Sequence, residues 1–323
     1  MKELTLLMNF YQMNNLKIIF FGTPDFSLDT LKYLHNSNHK LISVVSSTDK
    51  KSGRGLKIKY SPVKNYCIQN QISLLQPENL KCIDFQNDLK NLKADLYVIV
   101  AFKFLPKEVW SIPKMGSINI HASLLPNLRG AAPINWSLIY GHNKTGLTSF
   151  FLDENIDTGD IILKTEVMIN HSDNFESLYN KLKSMSGSFL SATIEAIINK
   201  KKLLKQKNIL KIDKAPKLNK ENTRIKWNDT SLNIYNHIRG LTPFPGAWTE
   251  IKENSKKVII YKTEISDFEK DGIAGSLSVR NKSLFVNTSD RLLKINELKI
   301  EGKKIIKGND FINSIQGKEI ILY

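Results

Sequence analysis

Asn119-Ile120-His121-Ala122-Ser123-Leu124-Leu125-Pro126-Asn127-Leu128-Arg129-Gly130-Ala131 is the most informative stretch of this chain. It grows out of a short apolar run, residues 117–120, that reads as a buried strand. Residues two apart on a strand point to the same side, so Asn119 and His121 are delivered together to one face. A neutral hydrogen-bond donor beside an imidazole at a strand end can steady a developing oxyanion and move a proton. The chain leaves through a turn fixed by Pro126, and Arg129-Gly130-Ala131-Ala132-Pro133 opens a predicted helix over 132–140. Open α/β folds place their ligands at strand–loop–helix junctions of this kind, at the carboxyl end of the sheet.

Outward from this stretch, strand-like and helix-like segments alternate. Residues 16–21, 41–46, 94–101, 117–120 and 148–152 are compact runs rich in Ile, Val and Phe. Helical patterns fall between them at 28–35, 62–70 and 85–92. The alternation predicts an α/β domain over 15–199, a Rossmann-like, doubly wound, mainly parallel sheet. A longer helix is expected over 174–199, with Asp173 and Glu176 as its N-terminal capping pair. Residues 200–220 hold nine lysines and one aspartate and read as a basic, solvated linker. Beyond it, a helix at 231–241 precedes short strand-like runs at 248–251, 258–263, 275–278, 283–287 and 292–295. Strands this short and close predict a small OB-like β-barrel over 221–323.

The charge balance narrows the partners. Lysine and arginine number 47 against 31 acids, a net charge of +16. Such an excess favours an anionic partner, nucleic acid first and a membrane surface second. The chain is also rich in Lys, Asn and Ile, as an AT-rich genome would make it, so charge alone does not decide. Cys67 and Cys82 stand apart with no C-x-x-C, which argues for neither a disulfide framework nor a metal site and fits a cytoplasmic setting. The longest plainly apolar run, 96–102, is too short to cross a bilayer, so no membrane association is expected. The first residues lack the length and cleavage site of a signal peptide, and Met8 or Met13 would serve as a start as well as Met1.

Three further segments carry chemistry. Phe21-Gly22-Thr23-Pro24-Asp25-Phe26 has the position of a nucleotide loop but a single glycine, which argues against dinucleotide binding. Residues 50–59 carry Lys50, Lys51, Arg54, Lys57 and Lys59 with two glycines and no acid. A mobile cationic loop of this kind pairs with phosphates, although a solvated surface loop has the same composition. Residues 153–160 gather Asp153, Glu154, Asp157 and Asp160 without EF-hand spacing. Thr158-Gly159 implies a tight turn able to aim Asp157 at His121, where a carboxylate would favour the charged imidazole.

Taken together, Phe20-Phe21-Gly22-Thr23-Pro24-Asp25-Phe26, residues 119–126, Arg129-Gly130-Ala131-Ala132-Pro133-Ile134 and Asp157-Thr158-Gly159-Asp160 resemble the methionyl-tRNA formyltransferases in wording, order and gaps. Arg224-Ile225-Lys226-Trp227 and Pro243-Phe244-Pro245-Gly246 extend the likeness to nearly the whole chain. The resemblance implies formyl transfer from 10-formyl-tetrahydrofolate to the α-amino group of methionine on initiator tRNA, by a monomer using no metal. It implies Asn119, His121 and Asp157 as the catalytic trio and Ser123, Leu124, Leu125 and Pro126 as the folate motif. It also implies that the loop around Arg54 reads the acceptor end of tRNA and that the C-terminal barrel contacts tRNA.

One departure stands out, because Phe102-Lys103 replaces the Tyr-Gly pair of many relatives in a loop that walls the folate pocket. Rival readings are a formyltransferase acting on a purine ribotide or amino sugar nucleotide, a hydrolase discarding the formyl group, and a non-enzymatic tRNA-binding protein. The first two would have no need of the basic loop and barrel, and the third would not need an intact trio.

Overall fold

The computed structural model describes residues 15–52, 57–206, 212–315 and 320–323. They group into two compact units. One comprises the chain up to Arg129, Gly146–Val167 and Asn180–Asp213; the other comprises Gly130–Thr145, Met168–Tyr179 and Lys214–Tyr323.

The first unit is built on a seven-stranded sheet. Its strands are β1 (Lys17–Gly22), β2 (Lys40–Val45), β3 (Leu74–Leu75), β4 (Leu96–Val100), β5 (Ser117–His121), β6 (Lys144–Phe151) and β7 (Ile161–Met168). They lie in the order β7-β6-β5-β4-β1-β2-β3. From β3 to β5 every pairing is parallel, and β5 meets β6 antiparallel. From β1 the chain therefore winds outward through β2 and β3, then returns to β4 and β5 on the other side. That reversal between β1 and β4 is the switch point of a doubly wound sheet, as expected. Every residue of β4 is buried, because a central parallel strand is covered on both faces.

Helices α1 (Leu28–His35), α2 (Pro62–Gln69), α3 (Ile83–Asn91) and the short α4 (Lys107–Trp110) fill the crossovers. Ser61 caps α2 by accepting from the Lys64 backbone N–H, with Pro62 opening the helix. On one face of the sheet Ile19, Phe21, Val45, Tyr97 and Ile99 pack against Phe85, Leu89 and Val109. The alternate residues Ile18, Phe20 and Val98 point the other way and are fully buried as well.

Three expectations need correcting. β7 went unseen because its burial alternates and Lys164 and Glu166 break any apolar run. The 200–220 segment is not uniformly a slack linker, since Leu204 exchanges two 2.9 Å backbone hydrogen bonds with Ile161. The long helix is capped by Asn174, not Asp173. The Asn174 Oδ1 accepts from the Ser177 backbone and Ser177 Oγ accepts in return, while Asp173 accepts from the Asn170 N–H.

In the second unit, α5 (Pro133–Ile139), the start of α6 (Phe175–Ile198) and α7 (Ser231–Leu241) accompany an antiparallel sheet. Its strands are β8 (Ala247–Glu250), β9 (Lys257–Glu269), β10 (Leu277–Arg280), β11 (Ser283–Asn287), β12 (Arg291–Ile300) and β13 (Ile305–Lys307). The order is β8-β9-β12-β11-β10, with β13 on β12.

Residues 320–323 close this sheet. Tyr323 N donates to Glu250 O on the β8 side, and Leu277 N donates to Ile320 O on the β10 side, each at 2.9 Å. A Cβ at Gly275 would lie 2.1 Å from the Leu322 carbonyl, so only glycine lets the closing segment in. The result is a small antiparallel barrel. Its core is Ile234, Ile238 and Leu241 of α7 against Val258, Ile260, Leu293 and Ile295. The helix α8 (Gly308–Ile315) and the strand β13 had no counterpart in the sequence reading.

Candidate active site

β5 carries Asn119 and His121 to the carboxyl end of the parallel strands. Asn119 pairs with Ile99 on one side and Phe150 on the other, so its backbone is held between two neighbours. Among the described residues no protein group hydrogen-bonds its half-buried side-chain amide. His121 is buried, and its Nε2 lies 2.8 Å from the carbonyl of Leu128. A carbonyl only accepts, so Nε2 carries the proton and donates; the tautomer is assigned from this partner. Nδ1 is thereby the nitrogen left facing the site.

The loop from Ala122 to Leu128 is wired by one buried threonine. Thr148 Oγ1 donates to Ser123 O at 2.6 Å and accepts from Leu125 N at 3.1 Å. Ser123 Oγ donates to Asn127 O, and Lys164 Nζ reaches Leu125 O. Burial lowers the Lys164 pKa from its ordinary value, with Glu166 opposing. Of the four residues read as the folate motif, Ser123 and Leu125 therefore point inward and hold the loop's shape. Leu124 and Pro126 keep partial exposure.

Asp157 arrives from the other side, on the loop between β6 and β7. Asp153 Oδ1 accepts from Asn155 N and from Thr158 Oγ1, folding this loop onto itself. A Cβ at Gly159 would sit 1.7 Å from the Phe151 carbonyl, so glycine alone allows the close approach there. Asp157 itself has φ +56°, a conformation that only a few per cent of non-glycine residues adopt, Asp and Asn most readily. Its Oδ2 stands 3.8 Å from His121 Nδ1, with both side chains nearly buried. The sequence-predicted trio is thus brought together. At that distance the His–Asp contact is too long for a direct hydrogen bond, and the carboxylate faces Nδ1 from just beyond that range.

Gln206 and Thr148 support the site although the sequence reading did not single them out, and Arg129, read there only as part of its motif, hydrogen-bonds Gln206. Gln206 lies in a lysine-rich stretch with nothing local to mark it, and Thr148 looks like any strand threonine. In the loop after β4, the Phe102 ring turns inward onto Phe21, centroids 5.7 Å apart, while Lys103 and Phe104 are exposed. A cleft of about 630 Å³ opens beside this loop, lined among others by Lys81, Phe104, Trp110 and Glu154.

In the basic loop, Lys50–Ser52 and Lys57–Lys59 form an antiparallel ribbon with Lys50 opposite Lys59. Arg54 lies outside the described residues. At the foot of the ribbon Lys64 hydrogen-bonds Asp49 at 2.6 Å and holds that carboxyl below its ordinary range.

The formyl transferase family model matches residues 16–194, and the model of its C-terminal domain matches residues 217–316. This chain belongs to the formyl transferase family. The methionyl-tRNA formyltransferase of Flavobacterium johnsoniae is 40% identical over 306 residues, covering 94% of this chain and 97% of that one. Its namesake from Bacteroides fragilis is 39% identical over 310 residues, with 92% and 94% covered. Among solved structures, WlaRD, a sugar 3N-formyl transferase crystallised with dTDP and 5-N-formyl-THF, superposes with a TM-score of 0.65. It shares 21% identity over 90% of this chain and 99% of its own, a likeness that shows the shared fold.

Proposed function

We propose that this formyl transferase moves the formyl group of 10-formyl-tetrahydrofolate onto the α-amino group of methionine carried by initiator tRNA, in translation initiation. The observation that carries the reading is the Asn119 amide, without a protein partner among the described residues, beside the His121–Asp157 pair at the carboxyl end of β5. The end-to-end likeness to methionyl-tRNA formyltransferases, at about 40% identity, selects the acceptor. A folate co-substrate fits the same ground: a half-buried amide free to donate to a formyl oxygen, and an imidazole facing a carboxylate at 3.8 Å.

The folate supplies an activated formyl group on nitrogen; the chain's residues supply position, charge and proton movement. Asn119 Nδ2 donates to the formyl oxygen, where negative charge develops as the amine attacks. An α-amino group titrates near ~8, so part of it is already a free amine at neutral pH. A new C–N bond forms to the methionine nitrogen and the bond from the formyl carbon to the folate nitrogen breaks. The proton shed by the amine is taken on the Asp157 side, directly or through water. His121 Nδ1 receives that proton from the Asp157 side and passes it to the departing nitrogen, while Nε2 keeps its own proton on Leu128 O.

We assign 15–199 to catalysis and 221–323, an OB-like barrel, to tRNA contact, with 200–220 as a basic connector whose first part pairs with β7 through Leu204 and Ile161. The family matches at 16–194 and 217–316 support this division. Lys50, Lys51, Arg54, Lys57 and Lys59 are assigned to the acceptor arm on the strength of their charge, with Lys50–Ser52 and Lys57–Lys59 paired as a ribbon. A cytoplasmic monomer fits these substrates, and among the described residues no helix is long and apolar enough to cross a membrane.

The test is an acceptor competition. The purified protein is given 10-formyl-tetrahydrofolate with methionyl initiator tRNA, an amino sugar nucleotide and a glycinamide ribotide. Formyl-methionine on the RNA is the expected product. Formylation of either small amine instead would keep the chemistry and overturn the acceptor.

A further inference from the structure

The residues around His121 form a closed ring of contacts that a catalytic trio alone does not require. Leu128 supplies the carbonyl that fixes Nε2 at 2.8 Å and is itself held at φ +61° by Leu128 N donating to Asp213 O at 2.7 Å. Arg129 follows directly. Its Nε and Nη2 donate to Gln206 Oε1 at 3.2 and 2.6 Å. The Gln206 Nε2 then donates to two carbonyls at once, Asp157 O at 3.0 Å and Gly159 O at 2.9 Å. Asp157 completes the circuit with its carboxylate 3.8 Å from His121 Nδ1.

The orientation of the Gln206 amide is chemically forced. Flipped, its NH₂ would meet the guanidinium and its oxygen would meet two carbonyls. Its backbone is anchored by the exchange between Leu204 and Ile161, two residues earlier. Both residues that address the ring nitrogens, Leu128 and Asp157, are non-glycine residues in the left-handed region. Backbone of that kind persists only where its surroundings over-determine it. At Asp157, the clamp that does so is Gln206.

We propose that Gln206 is a positioning residue: its amide pins the Asp157–Gly159 backbone, and Arg129 aims that amide, so that the Asp157 carboxylate faces His121 Nδ1. The inference rests on the trio being the catalytic site, as read above. Gln206 touches no reacting atom in this account. A misplacement of about 1 Å at a catalytic group can cost about 10²-fold in rate.

The test compares Gln206→Ala, Gln206→Glu and Asp157→Ala with the two corresponding double variants. Gln206→Glu keeps an acceptor for Arg129, now a charged one, but loses the two donated hydrogen bonds, so it guards against a variant that merely fails to fold. Both single Gln206 variants are expected to lower kcat about 10- to 100-fold. KM for folate and tRNA should stay within about threefold, and removal of Gln206 should cost nothing more once Asp157 is gone. The His121 ring ¹⁵N signals should change in Gln206→Glu, a readout that needs no substrate and separates this proposal from the choice of acceptor. Unchanged His121 signals, kcat near wild type in Gln206→Glu, a loss confined to KM, or an undiminished cost in the Asp157→Ala background would each overturn it.

Discussion

Asn119 and His121 stand on a strand hydrogen-bonded to a neighbour on each side, whereas Asp157 stands on a loop in a left-handed conformation. The strand side is fixed by the sheet ladder, which tolerates changes of side chain. The loop side is fixed by single contacts: Gly159 against Phe151, Asp153 under Thr158, and the Gln206 amide. The two halves of one site therefore differ in robustness. On the strand side, chemistry can be removed without moving the frame; on the loop side, a small steric change moves the frame itself.

The sharpest contrast comes from Asn119→Ala. It should lower kcat for formyl transfer by about 10²–10³-fold, with an unfolding midpoint close to wild type, since the amide has no protein partner to lose. A collapse of stability in that variant would break the idea that the strand side is preformed. Gly159→Ala adds one methyl group and should do the reverse, because that Cβ would lie 1.7 Å from the Phe151 carbonyl. Both kcat and the thermal midpoint should fall, with kcat down by about 10²-fold if the loop shifts by about 1 Å. A fully active Gly159→Ala protein would show the Asp157 loop to be more tolerant than its contacts suggest.

Thr148→Val probes the joint beneath both halves. It preserves shape but strips Leu125 N and Ser123 O of their partner. The expected cost is about 1–3 kcal/mol in denaturant unfolding, with kcat changing less than in the first two variants.

The smallest effect lies in the barrel unit. His237 on α7 has its pKa lowered by burial, and its Nε2 has no partner among the described residues. A histidine whose folded pKa is depressed binds fewer protons folded than unfolded. Stability of this unit should therefore fall as pH drops below about 6.5, the ordinary histidine value. His237→Gln should flatten that part of the profile, as measured by urea unfolding between pH 7 and 5.

The same contrast explains what was legible in the sequence. β5 and its strand-end pair were readable because alternation and a local motif encode them. Helices 28–35 and 231–241 were read to the residue because their apolar spacing is local. β7 was missed because the exposed, charged Lys164 and Glu166 interrupt its apolar run. The far end of β9 was cut short where burial fades, although pairing continues. Asp157 was found through its Thr-Gly turn, but Gln206, 49 residues further along, had no signal because its partners are backbone carbonyls. Barrel closure by residues 320–323 was likewise invisible, since backbone hydrogen bonds across such a separation leave no side-chain pattern.

The central claim is that a preformed strand-end donor and a clamped carboxylate act together in formyl transfer to methionyl initiator tRNA. Its most direct test is the single-turnover rate of formyl-methionine formation with Asp157→Asn, measured beside wild type at saturating tRNA and 10-formyl-tetrahydrofolate. Wild type should transfer efficiently and the variant should lose at least about 10²-fold, with tRNA binding unchanged. A near-normal rate in Asp157→Asn would contradict it.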